Sequence, residues 1–93
     1  MEHFYVYILL SKRDDKLYIG YTNNLKRRLS QHARGEVSST KNRRPLKLIH
    51  YEYFINEVDA KAREIFLKSG AGHTQIKDKL RKTLLFRTAI LLI

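Results

Sequence analysis

Tyr18-Ile19-Gly20-Tyr21-Thr22-Asn23-Asn24-Leu25-Lys26-Arg27-Arg28-Leu29-Ser30-Gln31-His32 carries the chain from one kind of order into another. Apolar, strand-forming residues run into a glycine, and a helical pattern begins a few positions later. Thr22 or Asn23 can cap that helix, because either side chain can accept a bond from its first free N–H groups. At about 3.6 residues per turn, Leu25, Arg28, Leu29 and His32 share one face. Lys26, Arg27, Ser30 and Arg34 fall elsewhere. Arg28 and His32 thus stand one turn apart on the face that the leucines bury, close enough to act on one target. Arg27 turns to solvent. A plain amphipathic helix with a basic rim explains the same pattern, with Arg28 extending its head group to water. The choice between the two needs the rest of the chain.

Working back toward the start, Phe4 to Leu10 is aromatic, β-branched or aliphatic throughout, which predicts a strand buried on both faces. Phe4, Val6, Ile8 and Leu10 share one face; Tyr5, Tyr7 and Leu9 share the other. Ser11 to Lys16 is polar and turn-forming, so Leu17 to Gly20 closes a β-hairpin. A turn centred on Asp14-Asp15 sets Tyr7 opposite Thr22 and Tyr18 opposite Ser11. Tyr7 and Tyr18 then look out on the same side, which a slip of one residue would undo.

Working forward, Gly35 suits the left-handed end of the first helix. Glu36 to Arg44 reads as a loop closed by Pro45. Its hydroxyls, Ser38, Ser39 and Thr40, precede the cationic run Lys41-Asn42-Arg43-Arg44. That combination suits phosphate, although a solvated loop would look the same. Leu46 to Ile55 is a third strand. Asn56 can cap the next helix, which runs to about Ser69. One of its apolar stripes is Val58, Ala62, Ile65 and Phe66. The other is Ala60, Leu67 and Ala71, with Glu64 inside it. A carboxylate in an apolar stripe demands a partner, either a cation of the chain or a metal ion. Gly70-Ala71-Gly72 breaks the chain, and His73-Thr74 opens a last helix through Leu80 and beyond. The expected fold is α+β: a three-stranded antiparallel sheet from about 3–11, 16–21 and 46–55, flanked by helices near 22–34, 57–69 and 73–83. Residues 1–83 form one domain and 84–93 an apolar tail.

Composition bounds the function. The 93 residues carry a formal net charge of +10, with 43% hydrophobic residues, six tyrosines and no cysteine. A small chain this basic implies a polyanionic partner, most often nucleic acid. Lack of cysteine removes disulfides and thiolate metal sites and is compatible with a reducing cytoplasm. No run approaches the ~20 apolar residues of a membrane span.

These residues together resemble the GIY-YIG nucleases. The first motif corresponds to Tyr5-Val6-Tyr7, the second is intact as Tyr18-Ile19-Gly20, the helix arginine falls on Arg28, and His32 follows one turn later. Glu64 matches the acidic residue of the second helix. Arg43-Arg44-Pro45-Leu46-Lys47-Leu48 and Leu67-Lys68-Ser69-Gly70 look like the small stand-alone bacterial members. The resemblance spans about residues 3–82. Tyr5 replaces the leading glycine of the first motif, and Ile76 lies near where many members carry asparagine.

The resemblance implies hydrolysis of a DNA phosphodiester with one divalent cation, Mg²⁺ or Mn²⁺, held by Glu64. It implies Arg28 on the non-bridging oxygens, a fit for a planar and permanently charged fork. Tyr7 would be the general base, Tyr18 the second candidate, and His32 would orient a tyrosine or the phosphate. An ordinary tyrosine titrates near 10, so the base is expected to be acidified. A covalent tyrosyl-phosphate is the chemical alternative. Lys26, Lys41, Arg43, Arg44 and Lys47 would grip the DNA backbone. The expected substrates are branched, damaged or single-stranded DNA. The chain is expected to act as a monomer or weak dimer, with no small-molecule cofactor. Two other classes remain open: a basic nucleic-acid-binding protein that kept the fold without catalysis, and a membrane-surface or protein-interaction module using the apolar tail.

Overall fold

The predicted sheet forms, with order β2-β1-β3 and antiparallel pairing throughout. The strands are β1 (Phe4–Ser11), β2 (Leu17–Thr22) and β3 (Leu46–Phe54); the helices are α1 (Leu25–Ala33), α2 (Glu57–Lys68), α3 (Gly70–Lys79) and α4 (Arg81–Leu85). This is a computed structural model, and it describes residues 3–86. Most of the expected apolar tail, residues 87–93, lies outside the described residues. Of the part within them, Leu84 packs against the core, whereas Leu85 and Phe86 are exposed.

β1 is central and nearly all buried, as a continuous apolar run requires. Its even residues Phe4, Val6 and Ile8 face a core completed by Ile19, Ala60, Leu67, Ile76 and Leu80. Burying a side chain such as Leu67 or Ile76 contributes on the order of 2 kcal/mol. The odd residues face the other way, toward α1.

The hairpin register differs from expectation by two residues. Tyr7 pairs with Gly20 and Tyr5 with Thr22, while Leu9 pairs with Tyr18. Ser11 Oγ accepts from the N–H groups of Arg13 and Asp14, and Asp15 takes a left-handed φ of 61°, so the turn tightens earlier in the chain. A shift of two preserves side-chain parity, and Tyr7 and Tyr18 stay on one face. On the other side of β1 the register shifts between Ile8 and Leu9. This bulge puts Tyr53, Tyr51, Leu48 and Leu46 all on the Tyr7 face of β3, while Ile49 joins the core.

Three local expectations are corrected. The α1 cap is Asn24, whose Oδ1 accepts from the Arg27 N–H at 3.1 Å; Thr22 instead accepts from the Asn24 N–H. The break after α2 is shorter than expected, because Ser69 caps α3 through the Gly72 N–H and the helix starts at Gly70. It then stops at Lys79 and resumes as α4. Finally, only one α2 stripe is buried: Ala60 and Leu67 are wholly enclosed, whereas Val58, Ile65 and Phe66 are exposed. Asn56 caps α2 as expected, accepting from Val58 and Asp59 N–H groups.

Candidate active site

Tyr7 projects from the middle of β1 with no exposed surface. Its ring lies across Gly20 on β2. A Cβ at Gly20 would collide with Tyr7 Cζ and Oη, so only glycine leaves room for the phenol. On α1, Leu25, Arg28 and Leu29 are half-buried and His32 is buried, as the helix wheel required, while Lys26 and Arg27 are exposed.

The Tyr7 hydroxyl lies 2.7 Å from His32 Nε2, and His32 Nδ1 lies 2.7 Å from Thr40 Oγ1. Thr40 Oγ1 donates in turn to the Val37 carbonyl at 3.4 Å. A hydroxyl that donates to a carbonyl is left to accept from Nδ1–H, so Nε2 carries the lone pair and accepts from Tyr7. Tyr18 closes the other side, its ring centroid 5.2 Å from His32 and 6.3 Å from Tyr7. Burial pushes the Tyr7 phenol up to about 12, with the neighbouring Arg28 guanidinium pulling the other way. Burial also drives His32 down to about 4, and the Arg28 charge adds to that effect. In the packed chain the pair thus holds a protonated phenol against a neutral imidazole.

Thr40 is a residue whose sequence context suggested phosphate contact. It is wholly buried and spent on His32. The two lie eight positions apart, across the end of α1 and the loop beyond it, and no local pattern marks the pairing.

Glu64 comes from α2, in the layer on the opposite face of the sheet. Its carboxylate is still near enough to add to the upward pressure on the Tyr7 phenol. It pairs with Lys68 Nζ at 3.0 Å, and its side chain keeps 21% of its surface exposed. The partner is thus a cation one turn along, on a flexible stem at the surface, and such pairs are worth little. Among the described residues no group of three or more His, Asp or Glu converges. A lone, accessible carboxylate fits Mg²⁺ or Mn²⁺ only as a hydrated ion that keeps most of its waters, which is how Mg²⁺ is commonly held. The Ile76 position is buried in the core beside Leu67 and offers no place for a polar group.

The cationic residues divide. Arg43 donates to both Asp14 oxygens, at 2.7 and 3.3 Å, and to the carbonyls of Lys16 and Leu17. The guanidinium holds the Asp14 carboxyl well below the usual carboxylate range. This ties the loop to the hairpin turn, so Arg43 is committed to structure. Arg44 donates to the Lys41 and Ala33 carbonyls and packs over Gly35, whose φ is +75°. Together with Arg13 and Lys41 it lines a cleft of about 500 Å³. A second cleft of about 500 Å³ is lined by Asn23, Arg27, Arg28, Gln31 and Glu57. Arg27 is exposed as expected, yet it borders the same cleft as Arg28, which the helix wheel alone did not indicate. Lys26 and Lys47 are exposed.

A short two-tyrosine hairpin, a helix that brings arginine and histidine to it, and one glutamate on the following helix define a nuclease class of fold. The chain belongs to the GIY-YIG family, whose catalytic-domain model matches residues 3–81. Within that family it is similar to proteins named UPF0213. One from Clostridium perfringens is 45% identical over 65 residues, 69% of each chain. One from Pediococcus acidilactici is 39% identical over 77 residues, 80% of this chain and 78% of the relative. The solution NMR structure of a UPF0213 protein from Bacillus halodurans superposes with a TM-score of 0.53 at 32% identity, covering 82% of this chain and 83% of the other. No helix of the described residues is long and apolar enough to cross a membrane.

Proposed function

We propose that the protein is an endonuclease that hydrolyses DNA phosphodiester bonds with one divalent cation, acting on branched, damaged or single-stranded DNA. The observation that carries this reading is the Tyr7–His32–Thr40 hydrogen-bond chain beside Arg28. A phenol with a pKa of about 12 is a poor source of free phenolate at neutral pH. It is a good proton conduit when its own proton already points at a neutral imidazole. As water attacks phosphorus, Tyr7 Oη takes the water's proton and passes its own to His32 Nε2. Thr40 fixes the tautomer that keeps Nε2 free to receive it. Arg28 holds the non-bridging oxygens as charge grows on them. Glu64 would hold the cation, which when bound supplies charge neutralisation at the phosphate and the leaving oxygen. Tyr18 packs against the His32 ring and keeps the pair dry.

Phosphate contacts away from the scissile bond fall to Arg13, Lys41 and Arg44 in one cleft, with Lys26 and Lys47 at exposed positions nearby in the chain. The test is single-turnover cleavage of labelled flap, fork and single-stranded DNA, with and without Mg²⁺ or Mn²⁺. Wild-type protein that binds these DNAs yet never nicks them would replace this reading by the non-catalytic one. That second reading has two observations on its side, the full burial of Tyr7 and the buried, apolar Ile76 near where many members carry asparagine.

A further inference from the structure

Toward Tyr5 and Tyr53 the Tyr7 face of the sheet is exposed, and it is aromatic. Register sets Tyr51 directly opposite Tyr7, and Tyr53 directly opposite Tyr5. The Tyr5 ring lies 6.2 Å from Tyr51 and 5.6 Å from Tyr53, tilted against both. His3 adds a ring 5.4 Å from Tyr53, and its Nδ1 is hydrogen-bonded to the Tyr53 hydroxyl at 2.8 Å. Tyr5 is half-buried and forms the floor. Tyr51 and Tyr53 are 52% and 45% exposed, although large aromatic rings ordinarily bury most of their area. Their positions are set: β3 spaces them two residues apart, Tyr5 wedges between them, and His3 holds the Tyr53 hydroxyl.

We propose that Tyr51 and Tyr53, backed by Tyr5 and His3, form a base-stacking platform for unpaired nucleotides of single-stranded DNA running into the Tyr7 site. The placement of the scissile phosphate rests on the nuclease reading above; the platform itself does not. Three observations choose this occupant. The chain's net charge of +10 selects a polyanion. The platform is continuous with Tyr7 through strand pairing, so a strand lying along this face of the sheet runs from the platform to the Tyr7 site. Exposed tyrosine faces on an open sheet offer stacking to any base, and a base paired within a duplex has no free face to give. The platform therefore selects unpaired DNA without reading its sequence.

The test is equilibrium binding, by fluorescence anisotropy in metal-free buffer with EDTA, of a labelled oligo(dT), an abasic oligonucleotide of the same length and a blunt duplex. Wild-type protein should bind oligo(dT) more tightly than the abasic strand, which keeps every phosphate and loses every base. The doubly substituted Tyr51→Ala/Tyr53→Ala protein should lose oligo(dT) affinity by about fivefold or more for each base that no longer stacks. Its affinity for the abasic strand and the duplex should stay unchanged, and Tyr51→Phe, which keeps the stacking ring and leaves the His3–Tyr53 bond in place, should bind oligo(dT) as the wild type does. Equal wild-type affinity for the normal and abasic strands overturns the platform, and this comparison needs no variant to fold. So does an alanine variant that weakens duplex binding as much as oligo(dT) binding. A protein that stacks bases but never cuts would overturn the nuclease reading alone.

Discussion

At the scale of single residues, the site is governed by what burial does to two rings. His32 sits near 4 in the folded protein against about 6.5 when unfolded, so the fold favours its neutral form. A depressed histidine pKa means that the unfolded chain binds the proton first as pH falls. Its stabilising contribution is complete above about pH 6.5 and is lost as pH drops through 4, up to about 3 kcal/mol in all. Denaturant melts between pH 7 and 4 should show that slope, and His32→Asn should flatten it. In the proposed mechanism the same pair sets the pH profile of cleavage. If Tyr7 passes its proton to His32, the rate at saturating metal should be nearly level from about pH 6 to 9 and fall as His32 is protonated near 4. A free phenolate base would instead give about a tenfold rise per pH unit toward 12. Gly20 is the neighbouring constraint. Gly20→Ala forces the Tyr7 ring off its position and should cut cleavage by about a hundredfold, while melts report a loss of about 1–3 kcal/mol from overpacking.

At the scale of elements, α1 carries Arg28 and His32 toward Tyr7 with Arg27 beside them, and α2 carries Glu64, the proposed metal ligand. Arg28→Ala should abolish cleavage in single turnover. Arg27→Ala should leave the rate at saturating protein unchanged and weaken DNA binding, because Arg27 borders the Arg28 cleft without reaching Tyr7. On α2, Glu64→Ala should eliminate metal-dependent cleavage yet shift stability by less than about 1 kcal/mol, since its partner Lys68 is a surface cation. A buried ion pair would have cost about 3–5 kcal/mol on losing one member, so a melt on this one variant separates the two environments. DNA affinity should hold or rise as the negative charge is removed. The loop between α1 and β3 is pinned to the hairpin by Arg43 and Asp14. Arg43→Ala should therefore lower the melting temperature and leave the salt dependence of DNA binding unchanged.

At the scale of the whole molecule, positive charge gathers over the loop between α1 and β3 and along one helix rim, away from the core-facing side of each element. Arg13, Lys41 and Arg44 share a cleft that is open to solvent, so their contribution should be sequence-independent and salt-sensitive. Neutralising Lys41 and Arg44 together should reduce the slope of log affinity against log salt by roughly 0.7–0.9 for each phosphate left without its cation. An unchanged slope would move the DNA track to the other face. The shape suits this division of labour. One face of the sheet is filled by α2 and α3 and supplies stability, and the other is half covered by α1 and half open, which leaves room for a strand of DNA.

The order of the three strands and the first two helices, the buried central strand, the shared face of Leu25, Arg28, Leu29 and His32, and the parity of Tyr7 with Tyr18 were all legible in the sequence. Each follows from short-range periodicity, which is fixed by backbone geometry and survives a two-residue error in register. What only the tertiary structure decided depends on contacts between residues far apart in the chain. Thr40 left the phosphate loop for His32, and Arg43 turned to Asp14. The α2 stripe of Val58, Ile65 and Phe66 stayed exposed because the sheet has one face to give α2, already taken by Ala60 and Leu67. The bulge in β3 brought Tyr51 beside Tyr7, where alternation alone would have set the two ends of that strand on opposite faces. The tyrosine that a family resemblance marks as a base acquired a raised pKa, because desolvation is a property of the packed molecule and has no counterpart in the order of its residues.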